Sequence, residues 1–177
     1  MKNCILGLFL LLIMTACNTK NDSNAKNNST TKNVGASYYS GAIGTIKNGK
    51  YSIINPDAIE REWEASLKRR LKLHDTIGLE NLEIIKVKTT GDIEEDCYIL
   101  VAKTKSDSVT MSAILEHKGD DFYFMTKYMS GGKGYLAVIC KGECKTGCYP
   151  GVRLQKDDKY LVCSSCTECE KMDCEMY

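Results

Sequence analysis

Cysteine is the residue type whose number and spacing in this chain could support chemistry. The stretch CSSCTECEKMDC, residues 163–174, holds four cysteines, and ICKGECKTGC, residues 139–148, holds three more. Cysteine thiolates at such short intervals bind zinc or iron–sulfur clusters in a reducing compartment. In an oxidising compartment the same residues form disulfides that brace a small fold. The chemistry of this segment therefore depends on where the chain is located.

Two metal-binding spacings fit the cysteine-rich segment. Cys144-x3-Cys148, followed after fourteen residues by Cys163-x2-Cys166, falls within the range of zinc ribbons, so these four residues are the alternative metal ligands. The run 163–174 approaches the bacterial ferredoxin spacing, but its last interval is one residue longer and no proline follows it. A redox role for the Cys163-x2-Cys166 pair is a further alternative, although no thioredoxin-like strand–helix–strand pattern surrounds it.

The N-terminal stretch MKNCILGLFLLLIMTAC has the parts of a secretory signal. Lys2 precedes an apolar run, residues 5–14, and small residues follow that run. The run is shorter than the about 20 residues that a permanent transmembrane helix needs. We therefore predict that residues 1–16 are a signal peptide and that the chain is exported.

The end of this signal, Met14-Thr15-Ala16-Cys17, resembles the lipobox of bacterial lipoproteins. The resemblance implies cleavage before Cys17 and acylation of that cysteine, palmitate included, so the mature chain would be held at a membrane by its lipid. Several acyl chains give a stable anchor, whereas one chain binds only marginally. Asn18 is not the aspartate that retains such proteins at the inner membrane, which implies the outer membrane in a Gram-negative cell. An ordinary cleaved signal, with Cys17 as a spare thiol, is the alternative.

Residues 17–44 are expected to form the lipidated cysteine and a flexible tether. Asn, Ser, Thr and Lys dominate residues 18–37, and such a segment buries too little apolar surface to offset the entropy of ordering. The tether would hold the folded domain away from the membrane.

Residues 45–139 are predicted to be an α+β domain. An Asn-Gly pair inside TIKNGKYSIIN, residues 45–55, indicates a hairpin. The following segment, residues 55–75, has Pro at the first helical position and an apolar stripe at four-residue steps, which predicts a helix. The stripe consists of Ile59, Trp63, Leu67 and Leu71.

Extended runs follow the helix and are separated by short turns. They cover residues 79–90, 97–105, 108–118, 122–129 and 134–141. We therefore predict one N-terminal helix packed on an antiparallel sheet of about five to six strands, followed by a small disulfide-rich hairpin in a cysteine-rich tail, residues 140–177. The order of elements resembles cystatin-like α+β folds, which implies a fold but no function.

Charge and motifs argue against several classes of function. Lys+Arg 24 against Asp+Glu 23 leaves a formal charge of +1, so no nucleic-acid partner is expected. The two histidines, His74 and His117, are predicted at a helix end and at a turn beside Asp120 and Asp121, where solvation is favoured over ion binding. No short motif of a common enzyme class is present. We predict a non-enzymatic protein without a cofactor.

Export favours disulfides over metal for the cysteine-rich tail. The signal contains no arginine, so the chain is expected to cross the membrane unfolded and to reach an oxidising compartment. Few large apolar residues lie in the tail, and segments of that kind are usually stapled. Apart from Cys4 in the signal and the lipidated cysteine, eight candidates remain: Cys97, Cys140, Cys144, Cys148, Cys163, Cys166, Cys169 and Cys174.

The pairing of these eight residues stays open in the sequence. A Cys144–Cys166 or a Cys148–Cys163 link would clamp the hairpin predicted between the two clusters. Because the tail holds an odd number of cysteines, Cys97 either takes the remaining one, which we favour slightly, or stays a buried thiol.

The tail resembles the cysteine-rich C-terminal tails of small envelope lipoproteins of Gram-negative bacteria, a resemblance that carries no activity with it. Taken together, the sequence predicts a lipid-anchored envelope protein with an interaction or structural role and an unknown partner. The alternative is a thiol redox or zinc-binding protein that uses the cluster from Cys140 to Cys174.

Overall fold

The computed structural model describes residues 41–73, 77–106, 108–144 and 147–177. The predicted signal peptide, Cys17, the tether up to residue 40, and His74 lie outside the described residues. No helix within the described ranges combines the length and the apolar character needed to cross a membrane.

The described chain consists of one helix and eleven strands. The helix is α1, Pro56–Leu71. The strands are β1 (Gly44–Lys47), β2 (Lys50–Ile53), β3 (Leu79–Gly91), β4 (Asp96–Thr104), β5 (Val109–Lys118), β6 (Asp121–Phe124), β7 (Thr126–Met129), β8 (Gly132–Lys141), β9 (Pro150–Gln155), β10 (Asp158–Cys163) and β11 (Glu170–Met176).

Local sequence accounts for the first hairpin and the helix. Asn48 and Gly49 have φ of 51° and 74°, the left-handed conformation that a two-residue hairpin turn needs. Pro56 begins α1, and the backbone carbonyl of Asn55 accepts the first hydrogen bonds, whereas its side chain makes no cap. The helix ends at Lys72, whose φ is 52° and whose N–H donates to the carbonyl of Lys68.

All eleven strands join one mixed sheet. Its main path runs β10-β9-β3-β4-β5-β6-β1-β2. β5 pairs with β6 through its second half and with β8 through its first half. β8 in turn pairs with β7 and with β11. The pairing of β9 with β3 is parallel, and the other pairings are antiparallel.

The predicted α+β fold with about five to six antiparallel strands is therefore wrong: the structure is mostly sheet, with eleven strands in a mixed arrangement. The first hairpin extends the sheet by pairing β1 with β6. The tail hairpin β9–β10 extends it at the other edge through β3. Which edge a hairpin joins depends on contacts distant in sequence, and local turn signals carry no information about them.

The final strand, β11, was missed for a physical reason. Met172, Cys174 and Met176 alternate with charged residues, and Cys174 and Met176 are buried. This is the period-2 pattern of a half-buried strand. The acidic and basic residues that lie between the apolar ones lower the mean hydropathy of the segment, so it does not stand out as a strand. The density of cysteines in this segment indicated a disulfide-rich tail and gave no signal for a further strand.

The central strands are buried on both faces, so another part of the chain must pack against each face of the sheet. On one face α1 contributes Ile59, Trp63 and Leu67 to a core with β4, β5 and β8. On the other face Val152 of β9 and Leu161 of β10 pack with a second set of residues from the same strands. That second set consists of Cys97, Ile99, Val101, Ile114, Val138 and Cys140.

A buried hydrogen bond ties the helix to its face of the sheet. Trp63 Nε1 donates to Tyr135 Oη at 2.9 Å, and both residues are almost fully buried. The ring of Tyr135 also stacks on Phe124, with 3.8 Å between the ring centroids. The two contacts together fix where α1 lies along β8.

We predict that Tyr135→Phe lowers the free energy of unfolding by about 1–3 kcal/mol, because the indole N–H of Trp63 loses its acceptor while buried. Urea denaturation of the oxidised protein measures the change. Tyr128→Phe is the matched control, since Tyr128 is 86% exposed and should change stability by less than about 0.5 kcal/mol. Equal stability of the two variants would contradict this assignment.

Candidate functional site

Six of the eight candidate cysteines form three disulfides, so the prediction of disulfide bonding is confirmed. The Cα–Cα distances are 5.6, 6.3 and 5.4 Å, within the usual range for a disulfide. Within the six, the first cysteine pairs with the fourth, the second with the fifth and the third with the sixth. The pairs are Cys140–Cys163, Cys144–Cys166 and Cys148–Cys169.

This pairing joins two chain segments that run side by side. Cys140 lies near the end of β8 and Cys163 at the end of β10, and the other bridged cysteines follow these two along the chain. The bridges close loops with separations of 21 to 23 residues. Cys144 pairs with Cys166 as one of the two expected links, whereas Cys148 pairs with Cys169 and not with Cys163. In the chain-entropy view each such loop contributes about 3 kcal/mol of stability.

The disulfides also supply apolar surface to a segment that lacks it. Cys140 and Cys148 are 0% and 1% exposed and lie in the second core, beside Val138 and Leu161. Half-buried sulfurs at Cys144, Cys163 and Cys169 pack against the same core. The bridges therefore cover the second face of the sheet as well as joining the two segments.

Cys97 and Cys174 remain thiols, and the slightly favoured bridge from Cys97 to the tail is not formed. Both are buried, Cys97 in the core beneath the tail and Cys174 in the core beneath α1. They lie on opposite faces of the sheet and cannot reach one another. Burial raises the pKa of each thiol, so thiolate is scarce at neutral pH and both are poor nucleophiles.

Alkylation checks the state of these two thiols. In the native protein near pH 8 we expect iodoacetamide to label Cys97 and Cys174 far more slowly than a small free thiol, since burial blocks access and the raised pKa leaves little thiolate. In urea without reductant both should label rapidly, and peptide mass mapping identifies the sites. Labelling of any of the six bridged cysteines under those conditions would contradict the disulfide assignment.

The four alternative zinc ligands are not brought together as a set. Cys144 and Cys166 form their own bridge, while Cys148 and Cys163 belong to two others. The structure instead brings the sulfurs of Cys140, Cys148 and Cys163 within 4.8 Å of one another. The spacing of cysteines along the sequence could not reveal this triad. Cys140 belongs to it because of the face of β8 on which its side chain lies.

A groove lies beside the disulfide cluster, where the hairpin β7–β8 bends away from β5. Its cavity volume is about 520 Å³. Apolar side chains form part of its lining, and charged and polar residues form the remainder. The lining residues are Ile114, Met125, Thr126, Lys127, Leu136, Asp157, Asp158, Lys159, Tyr160 and Leu161.

The tip of hairpin β9–β10 forms one rim of this groove and is held firmly. Lys156 and Asp157 occupy the turn with φ of 50° and 67°. The N–H of Lys156 donates to the carboxylate of Asp92 at 2.9 Å. Lys159 pairs with Glu95 across the same end of the sheet. The rim is thus attached to the β3–β4 connection rather than projecting freely.

The histidine and aspartates at the β5–β6 turn are not among the groups of potential metal ligands that the described residues bring together. His117 stacks on Phe122, with 4.7 Å between the ring centroids, and packs against Tyr98. Asp121 belongs to β6. Among the described residues the one group of three or more potential metal ligands within reach of each other is the sulfur triad.

No protein-family model, no curated protein and no solved structure matches this chain.

Proposed function

We propose that this chain is a lipid-anchored protein of the cell envelope, held at the outer membrane through Cys17, and that its folded domain has a non-enzymatic interaction role. The three disulfides carry the proposal, since disulfides persist outside the reducing cytosol. They agree with an export signal at residues 1–16. The near-zero charge balance favours a protein partner over nucleic acid.

We propose the groove beside the disulfides as the interaction surface, with an extended segment of a partner protein as its occupant. Among the strands that the structure describes, β7 pairs only with β8, and β10 pairs only with β9. Residues of both strands line the groove. Unpaired strand edges offer backbone donors and acceptors to an added strand.

The lining of the groove favours a particular kind of segment. Ile114, Met125 and Leu161 offer an apolar floor for a large apolar side chain. Asp157 and Asp158 at the rim favour a basic residue next to it. Lys159 adds little positive charge there because it pairs with Glu95, so Lys127 is the other lining cation opposite the two aspartates.

Replacement of the lipobox cysteine tests the anchor. We expect Cys17→Ser to move the protein from the membrane fraction to the soluble envelope fraction and to abolish labelling by an alkyne fatty acid. The matched control is Cys97→Ser, which removes a thiol elsewhere and should leave both readouts unchanged. Retention of the Cys17→Ser protein at the membrane would refute the lipoprotein hypothesis.

Selection from a random peptide library on the oxidised protein tests the groove. In β7 the N–H of Thr126 points away from β8, because the register Met129↔Gly132 closes a two-residue turn and alternate residues face outward. Thr126→Pro should weaken the selected peptides at least about tenfold, whereas Thr126→Ala, which keeps the N–H, should not. Peptides equally sensitive to both variants, or to neither, would place the interaction elsewhere.

A further inference from the structure

The sulfur triad is more compact than disulfide formation requires. Cys140 and Cys163 share one bridge, yet the sulfur of Cys148, from a different bridge, lies within 4.8 Å of both. Three thiolates around a tetrahedral zinc ion with Zn–S of about 2.3 Å lie about 3.8 Å from one another. To share one metal ion, the sulfur of Cys148 needs to approach by about 1 Å, and the sulfurs of Cys140 and Cys163 must separate by about 2 Å once their bridge is reduced.

A fourth sulfur is already at hand. Cys169 is bonded to Cys148, so opening that bridge releases its thiol beside the triad. The remaining bridge, Cys144–Cys166, supplies none of the three triad sulfurs. These four sulfurs differ from the four zinc ligands that the zinc-ribbon spacing indicates. The difference arises because the sheet places Cys140 next to Cys148 and Cys163.

Two buried hydroxyls on the same face lack hydrogen-bond partners among the described residues. They are Thr110 Oγ1 and Ser112 Oγ, at residues that are 1% and 0% exposed. Thr110 lies directly opposite Cys140 in the β5–β8 pairing, so their side chains share a face. Ser112 lies opposite Val138, which belongs to the core under the disulfides.

A buried hydroxyl without a partner is costly and calls for an explanation. A disulfide sulfur is a weak acceptor, so the oxidised cluster leaves Thr110 unsatisfied. A metal-bound thiolate is a strong acceptor, and donors to the ligand atoms are a regular part of metal sites. The position of Thr110 suits a thiolate at Cys140.

We propose that reduction converts this cluster into a site for one thiophilic divalent cation of the Zn²⁺ class, bound by Cys140, Cys148 and Cys163, with Cys169 as the fourth ligand. Two equivalents of a dithiol open the Cys140–Cys163 and Cys148–Cys169 bridges. Each dithiol gives two electrons and two protons to a bridge and closes to its own disulfide. The cation then displaces the protons of the four thiols. This site is independent of the lipid anchor and of the groove.

Cobalt binding tests the site. The full chain, purified in detergent, is reduced with dithiothreitol, freed of it without oxygen, and titrated with Co²⁺. We expect one Co²⁺ per chain with a thiolate-to-cobalt charge-transfer band, displaced by Zn²⁺. Cys148→Ser and Cys163→Ser should weaken both the band and Co²⁺ binding, whereas Cys97→Ser and the Cys144→Ser/Cys166→Ser pair should leave both unchanged.

The variant Thr110→Val tests whether the hydroxyl of Thr110 supports metal binding or only the stability of the fold. The change removes an unpartnered hydroxyl at nearly constant volume, so stability of the oxidised protein should be unchanged or higher. In the reduced protein it should weaken Co²⁺ binding by about 10- to 100-fold, since the bound thiolate loses a donor. Circular dichroism follows the fold, and metal-induced refolding of an unfolded reduced chain also supports the site.

Three results would overturn the proposal. The first is no cobalt–thiolate band in the reduced chain, folded or unfolded. The second is a band whose intensity and Co²⁺ affinity are both unchanged by Cys148→Ser. The third is a band that requires Cys144 and Cys166, which would favour ribbon-type ligands instead.

Discussion

The constraint on which this structure depends is that its central strands are apolar on both faces. Ile99 and Val101 of β4 point to one side, while Leu100 and Ala102 point to the other, and all four are buried. A sheet of this kind is stable only when both faces are covered. One helix covers the first face, with Trp63 hydrogen-bonded to Tyr135. The chain has no second helix among its described residues, so the tail must cover the other face.

The tail covers that face with an unusual composition. In the core on that face Val152 and Leu161 are its large buried side chains, and sulfur atoms provide much of the remaining apolar contact. Burial of so few apolar side chains would by itself contribute little free energy to holding the tail on the sheet. The three bridges lower the conformational entropy of the unfolded tail, which stabilises the folded state. They also hold the hairpin against the sheet. The same three disulfides thus hold the tail in place, cover the second core and bring the three sulfurs of the triad together.

The groove follows from the way the sheet divides. β5 pairs with β6 and with β8 along different residues, so the chain leaves β5 after Met125, forms the hairpin β7–β8, and returns to β5 through the second half of β8. The hairpin β9–β10 reaches towards this bend, and the groove remains between them. The hydrogen bond from the N–H of Lys156 to Asp92 holds the β9–β10 rim of the groove in place.

Elements whose signals lie in neighbouring residues follow from the sequence. The Asn48-Gly49 turn, the helix with its stripe of Ile59, Trp63 and Leu67, and the presence of disulfides could all be predicted, because turn chemistry, helical periodicity and cysteine density are properties of neighbouring residues. Contacts between distant segments set the strand order, the parallel pairing of β9 with β3, the partners of the cysteines and the composition of the groove. These depend on which distant segments share a face. Pairing of Cys97 was uncertain in the sequence for the same reason: whether its sulfur meets another is set by the sheet, which places Cys174 on the opposite side.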